Sequence, residues 1–82
     1  MRKRIGTVRL VKERIVLDYY QLGSRKEGYG LEVVEKAGGI TRRECCEKIT
    51  RNRRRIQSLG AAVMRGIVFP GFLSEIAAEW EL

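Results

Sequence analysis

The chain is 82 residues long, with 44% hydrophobic and 33% charged residues, which leaves room for one small folded core and none for a second domain. Its 17 Lys and Arg against 10 Asp and Glu give a net charge of +7, and the absence of His removes the commonest general base and metal ligand. No stretch approaches the roughly 20 apolar residues of a membrane span, and the basic start Met1 to Arg4 runs into a strand-like segment instead of a signal-peptide core. The expectation is a cytoplasmic protein with no membrane role.

The charge lies in blocks. Residues 1–14 carry six basic groups against Glu13, and residues 41–55 carry seven against Glu44 and Glu47. The last 27 residues are acidic, with Arg65 against Glu75, Glu79 and Glu81. Residues 1–6 read as a basic N-terminus free to be flexible, 7–49 as sheet and 50–82 as two helices, all within a single small domain.

In chain order, Val8 and Leu10 alternate on one side of a first strand. The second run, Ile15 to Leu22, is rich in β-branched and aromatic residues, so the two pair antiparallel, with Ile15, Leu17 and Tyr19 toward the core and Tyr20 beside Asp18. Gly23 to Gly28 has no apolar residue and reads as a mobile loop. A third strand follows from Tyr29 to Lys36, with Tyr29, Leu31 and Val33 inward and Glu32 outward, and Ala37-Gly38-Gly39 supplies the next turn. Residues 40–49 admit two readings. Thr41-Arg42-Arg43-Glu44 has the form of a helix capping box, whereas Arg43, Cys45, Glu47 and Ile49 alternate as in a fourth strand, and the strand is favoured.

From Thr50, read as an N-cap, Ile56, Leu59 and Val63 recur at helical spacing, and Gly66 is the expected terminator. Pro70 is expected to open a second helix, Phe72 to Glu81, with Phe69 stapling its entry. Its Leu73, Ile76, Ala77 and Trp80 fall on one face, which places Trp80 in the core. The fold class is therefore α+β: a three- or four-stranded antiparallel meander followed by two C-terminal helices packed on one face.

Three segments carry a resemblance: Tyr29-Gly30-Leu31-Glu32-Val33, the step Ile49-Thr50, and Val68-Phe69-Pro70-Gly71-Phe72-Leu73-Ser74-Glu75-Ile76. Over about residues 7–82 the chain resembles a small domain-of-unknown-function family of clostridia-like, spore-forming bacteria. The resemblance implies the meander with two helices and a strand at 40–49, and it implies no activity. The chain departs from the acidic first helix usual in that family by carrying Arg51, Arg53, Arg54 and Arg55.

The inventory points away from catalysis. Asp18 is the only Asp, Glu32 and Glu35 fall on opposite strand faces, and Glu44 and Glu47 lie among arginines that keep them ionised. Cys45 and Cys46 are adjacent, too constrained for an ordinary disulfide and lacking the partners zinc needs, so no metal or other cofactor is expected. Arg42, Arg43 and Lys48 are expected to lower the pKa of whichever thiol is exposed. The Gly23–Gly28 segment closes with no Lys-Ser/Thr pair and is not a nucleotide loop.

Binding is the remaining class. Arg51, Arg54 and Arg55 at i, i+3 and i+4 are expected to share one helix face, flanked by Arg53 and preceded by Arg42 and Arg43. Guanidiniums grouped at a helix N-terminus suit an anion, and nucleic-acid phosphates are the leading candidate. Tyr20 is a weaker candidate for stacking on a base. The alternative is a protein-interaction or self-associating adaptor domain that engages an acidic protein or a second copy through strand edges or the acidic C-terminal helix.

Overall fold

The computed structural model describes residues 1–80, so Glu81, expected to close the second helix, lies outside the described residues. Four strands form one antiparallel sheet in chain order: β1 (Arg2–Leu10), β2 (Ile15–Ser24), β3 (Gly28–Ala37) and β4 (Ile40–Thr50). Two helices follow, α1 (Arg53–Arg65) and α2 (Leu73–Trp80). The α+β meander with two C-terminal helices is as expected, with four strands and not three. Residues 40–49 are strand, because their partner β3 pairs with them from Lys36↔Thr41 to Leu31↔Cys46. Among the described residues no helix is long and apolar enough to cross a membrane.

The helices cover one face of the sheet. Leu17, Tyr19, Tyr29, Leu31 and Val33 from that face meet Ile56, Leu59 and Val63 of α1 and Leu73 of α2 in one buried cluster, with Trp80 packed against it. Burial raises the Tyr19 pKa to about 12, and its hydroxyl donates to the Val68 carbonyl at 3.1 Å, tying the sheet to the segment between the helices.

Both edge strands reach this arrangement through irregularities. In β1 the register jumps between Arg4↔Tyr20 and Gly6↔Tyr19, so Ile5 is an extra residue. Strict alternation would put Arg2 and Arg4 on the same face as Val8 and Leu10. The bulge separates them, leaving the arginines on the open face and the apolar pair on the core face. Ile5 packs against the core, and its Cδ1 lies 2.7 Å from where a Cβ on Gly60 would sit, so α1 approaches β1 at a helical glycine. In β4 the register jumps from Leu31↔Cys46 to Tyr29↔Thr50, with Lys48 at φ 54. That irregularity lets Cys46 and Ile49 both pack on the core, and it corrects the simple alternation that grouped Cys45 with Ile49.

Four further expectations are corrected. The N-terminal segment through Gly6 is paired strand, not a flexible extension, because β2 runs on to Ser24 and gives Arg2, Lys3 and Arg4 partners in Leu22, Gln21 and Tyr20. The Gly23–Gly28 loop shrinks to a tight hairpin turn, since Gly23 and Ser24 still pair with Tyr29 and Gly28. Asn52, not Thr50, caps α1, its Oδ1 accepting from the Arg55 amide at 3.1 Å. Thr50 remains in β4, and its Oγ1 accepts from the Asn52 amide at 3.0 Å, which turns the chain out of the sheet. Finally, α2 starts at Leu73, after a turn in which the Phe72 amide donates to the Phe69 carbonyl.

The start of α2 is fixed from outside its own sequence. Glu44, on the core face of β4, accepts from the amides of Gly71 and Leu73 at 2.8 Å each, from the Ser74 amide at 3.3 Å and from Ser74 Oγ at 2.6 Å. Partial desolvation pushes the Glu44 pKa up, but these four hydrogen bonds outweigh it and hold the carboxyl below its ordinary value. A carboxyl whose folded pKa is depressed stabilises the fold fully above its unfolded pKa and loses that contribution as pH falls through the folded value. Acid titration from about pH 6 to 2, followed by Trp80 fluorescence, should therefore release α2 below the ordinary Glu range of about 4.3, and Glu44→Gln should remove most of that pH dependence.

Gly30 lies beneath the β4 irregularity, where an added Cβ would stand 2.3 Å from the Cys46 carbonyl oxygen and 2.8 Å from Glu47 Cα. Both are backbone atoms, so Gly30→Ala should cost roughly 1–3 kcal/mol in denaturant unfolding by forcing the strands apart.

Candidate nucleic-acid interface

The arginines singled out from the sequence do not form one face. Arg51 precedes α1, so the spacing that grouped it with Arg54 and Arg55 is not helical at that point. Arg53, Arg54 and Arg55 occupy the first turn, which contains no acidic residue. Arg51, Arg53 and Arg54 line a shallow concavity together with Arg25 from the β2–β3 turn and Asn52. The amides of Arg53 and Arg54 head the helix without an acceptor inside it. Lys3 also reaches this end of the molecule, since it and Arg53 line an adjoining groove.

The other three candidates are elsewhere. Arg55 donates through Nη2 to the Trp80 carbonyl at the C-terminal end of α2, where a cation meets the negative end of the helix dipole. Arg43 projects from the open face of the sheet, with Nη1 3.8 Å from Glu32 Oε2. Arg42 pairs across the sheet with Glu35, near the end of β4 remote from α1, roughly 25 Å along the strand from Thr50.

Tyr20 is on the open face, as its position beside Asp18 required. The Arg2 guanidinium lies over its ring, with Cζ 3.7 Å from the centroid, and Arg4 Cζ is 5.9 Å away. Arg2 Nε also donates to Glu32 Oε1 at 2.8 Å. Glu32 is 7% exposed and Asp18 6%, yet both are satisfied, Glu32 by Arg2 with Arg43 nearby and Asp18 by Thr7 Oγ1 at 2.5 Å. Arg25 and the Arg2–Tyr20–Glu32 group were not apparent from the sequence. The signal for the last was present: Arg4, Tyr20 and Glu32 become cross-strand neighbours once the register of three strands is known.

Neither thiol is in a disulfide. Cys45 is exposed on the same face as Glu32, its cross-strand neighbour. Its pKa is raised by desolvation and then by the negative charges of Glu32 and Glu47 and by Cys46, the reverse of the lowering expected from Arg42, Arg43 and Lys48. Glu32 contributes because it is directly opposite Cys45 on the neighbouring strand. Among the described residues no group of three or more His, Cys, Asp or Glu is placed to hold a metal ion.

Comparison with known proteins brings no match: no family model, no curated protein and no solved structure is similar to this chain.

The charge around Cys45 has a measurable consequence. The pH midpoint for its alkylation by iodoacetamide should lie above the ordinary Cys value of about 8.5, and Glu32→Gln should move that midpoint down.

Proposed function

We propose that this domain is a non-enzymatic binding module that holds nucleic acid by its phosphate backbone, acting at the end of the molecule where α1 begins. The observation that carries the reading is that Arg25, Arg51, Arg53 and Arg54 line one concavity with the cap residue Asn52 at the head of α1, whose first turn has no acidic residue. Among the described residues the ion pairs are Arg2–Glu32 and Arg43–Glu32, so these four cations have no carboxylate partner. Like charges gathered at the positive end of a helix dipole repel, and an anion there relieves both terms. Guanidiniums fork onto phosphate oxygens, and the backbone amides add uncharged donors. Contacts of this kind position a protein on nucleic acid without reading its sequence.

The revised contact set is Arg25, Arg51, Arg53 and Arg54 with Lys3 at its margin. Arg42, Arg43 and Arg55 leave it because the fold uses or places them elsewhere. As part of this proposal the domain is assigned to the cytoplasm, where the adjacent thiols Cys45 and Cys46 remain reduced.

Fluorescence anisotropy against labelled DNA and RNA from about 50 to 300 mM salt tests the reading. Four phosphate contacts give a log-log salt slope of about −3 to −4 on duplex, and the Arg51/Arg53/Arg54→Ala variant should flatten it by about 3. An unchanged slope in that variant, or no binding at the lowest salt, rejects the interface and moves the search to an acidic protein partner.

A further inference from the structure

The helices leave the second face of the sheet uncovered, and that face has its own pattern. From β1 it presents Arg2, Arg4 and Arg9. Lys36 and Arg43 flank it from β3 and β4, and Asp18 and Glu32 lie beneath. Five cations thus surround two carboxylates that are already satisfied and almost fully buried, and although Glu27 and Glu47 with Lys48 border the Arg2 end, the charge around Tyr20, Arg4 and Arg9 is positive outward. Tyr20 is the only aromatic residue among them, on a central strand, with Arg4 and Glu32 as its neighbours on either side.

The Arg2 guanidinium is held in two ways, over the Tyr20 ring at 3.7 Å and on the Glu32 carboxylate at 2.8 Å, while its side chain remains 49% exposed. The outcome is a two-layer stack, ring below and guanidinium above, fixed by a buried carboxylate and open to solvent on its outer side. Flat guanidinium and aromatic surfaces on a sheet are what unpaired bases stack on, and arginines alongside supply phosphate contacts. Bases in a duplex are stacked on one another and present no free face to such a surface.

We propose that the open face binds single-stranded nucleic acid, with one base stacked on the Tyr20–Arg2 pair and the adjoining backbone on Arg4 and Arg9. This rests on the phosphate-binding reading above and adds to it a preference for single strands and a second contact region. An acidic peptide would satisfy the cations but gains nothing from the stacked layer, which is why charge complementarity together with the aromatic platform selects a nucleic acid.

The test compares a labelled single-stranded oligonucleotide with the duplex of the same sequence, and uses 5-iodouracil in the single strand for photocrosslinking mapped by mass spectrometry. Tyr20→Leu keeps an apolar side chain on the sheet and removes the ring. It should weaken single-strand binding about 10-fold, leave duplex binding unchanged, and be matched by no loss in Tyr20→Phe. The wild-type crosslink should map to Tyr20 or Arg2, a result that stands even where Tyr20→Leu fails to fold. The Arg51/Arg53/Arg54→Ala variant should instead weaken single strand and duplex alike. Equal binding by Tyr20→Leu, or a crosslink confined to the α1 end, overturns the stacking proposal and leaves the phosphate site standing. No wild-type binding to either nucleic acid overturns both.

Discussion

The two edge strands must each serve a charged face and an apolar face with sequences whose parity does not allow it, and the bulge at Ile5 is the device that resolves the conflict in β1. Arg2, Arg4, Val8 and Leu10 are all even-numbered positions, so an uninterrupted strand would bury two arginines or expose two core residues. One extra residue at Ile5 reverses the alternation, and the same residue becomes the knob that Gly60 of α1 accepts. The irregularity around Lys48 does the equivalent in β4 for Cys46 and Ile49. Helix placement, core composition and the basic open face all follow from these two departures from regular strand geometry. Bulges at sheet edges also increase twist and disrupt the ladder, which discourages edge-to-edge pairing with another chain.

The two carboxylates with the most hydrogen-bonding and ion-pairing assignments are both on the sheet and act on opposite sides of it. Glu44 faces the core side and takes three amides and a hydroxyl at the start of α2, doing from a distant strand what an N-cap does locally. Glu32 faces the open side and neutralises Arg2 while Arg43 approaches. Removing Glu44 would leave the amides at the start of α2 without their acceptor, and removing Glu32 would cost more than the modest worth of a surface ion pair because Glu32 is the largely buried member of its pair. An excess of cations is compatible with a stable small fold here because the few carboxylates are placed where the chain needs an acceptor.

Most of the fold is legible in the sequence because the central strands carry regular patterns. Ile15, Leu17 and Tyr19, and then Tyr29, Leu31 and Val33, alternate without interruption, and Ile56, Leu59 and Val63 keep helical spacing. What the sequence hides lies at the edges and ends. A bulge has no residue signature of its own at Ile5, so the N-terminal strand reads as a basic tail. Thr50 and Asn52 are both good caps, and only the persistence of the β3 partner at Thr50 decides between them. The site suffered most, since a two-residue shift in the helix start moves Arg51 off the helix, and α2, invisible to local spacing, claims Arg55.

The arginines of this chain therefore belong to different physical classes despite their closeness in sequence. Arg55 and Arg2 have fixed acceptors, a helix-end carbonyl and a buried carboxylate, and replacing them removes structure as well as charge. Arg51, Arg53 and Arg54 have none among the described residues, and they sit where the helix dipole makes a cation unfavourable. A group that destabilises its own helix terminus and has no carboxylate partner among the described residues contributes to stability only when an anion arrives. Neutralising these three should thus leave the isolated domain no less stable while reducing the stabilisation that a bound polyanion confers by mass action. That opposition between the free and the bound state separates a binding surface from a merely solubilising one, for which loss of charge has no bound state to affect.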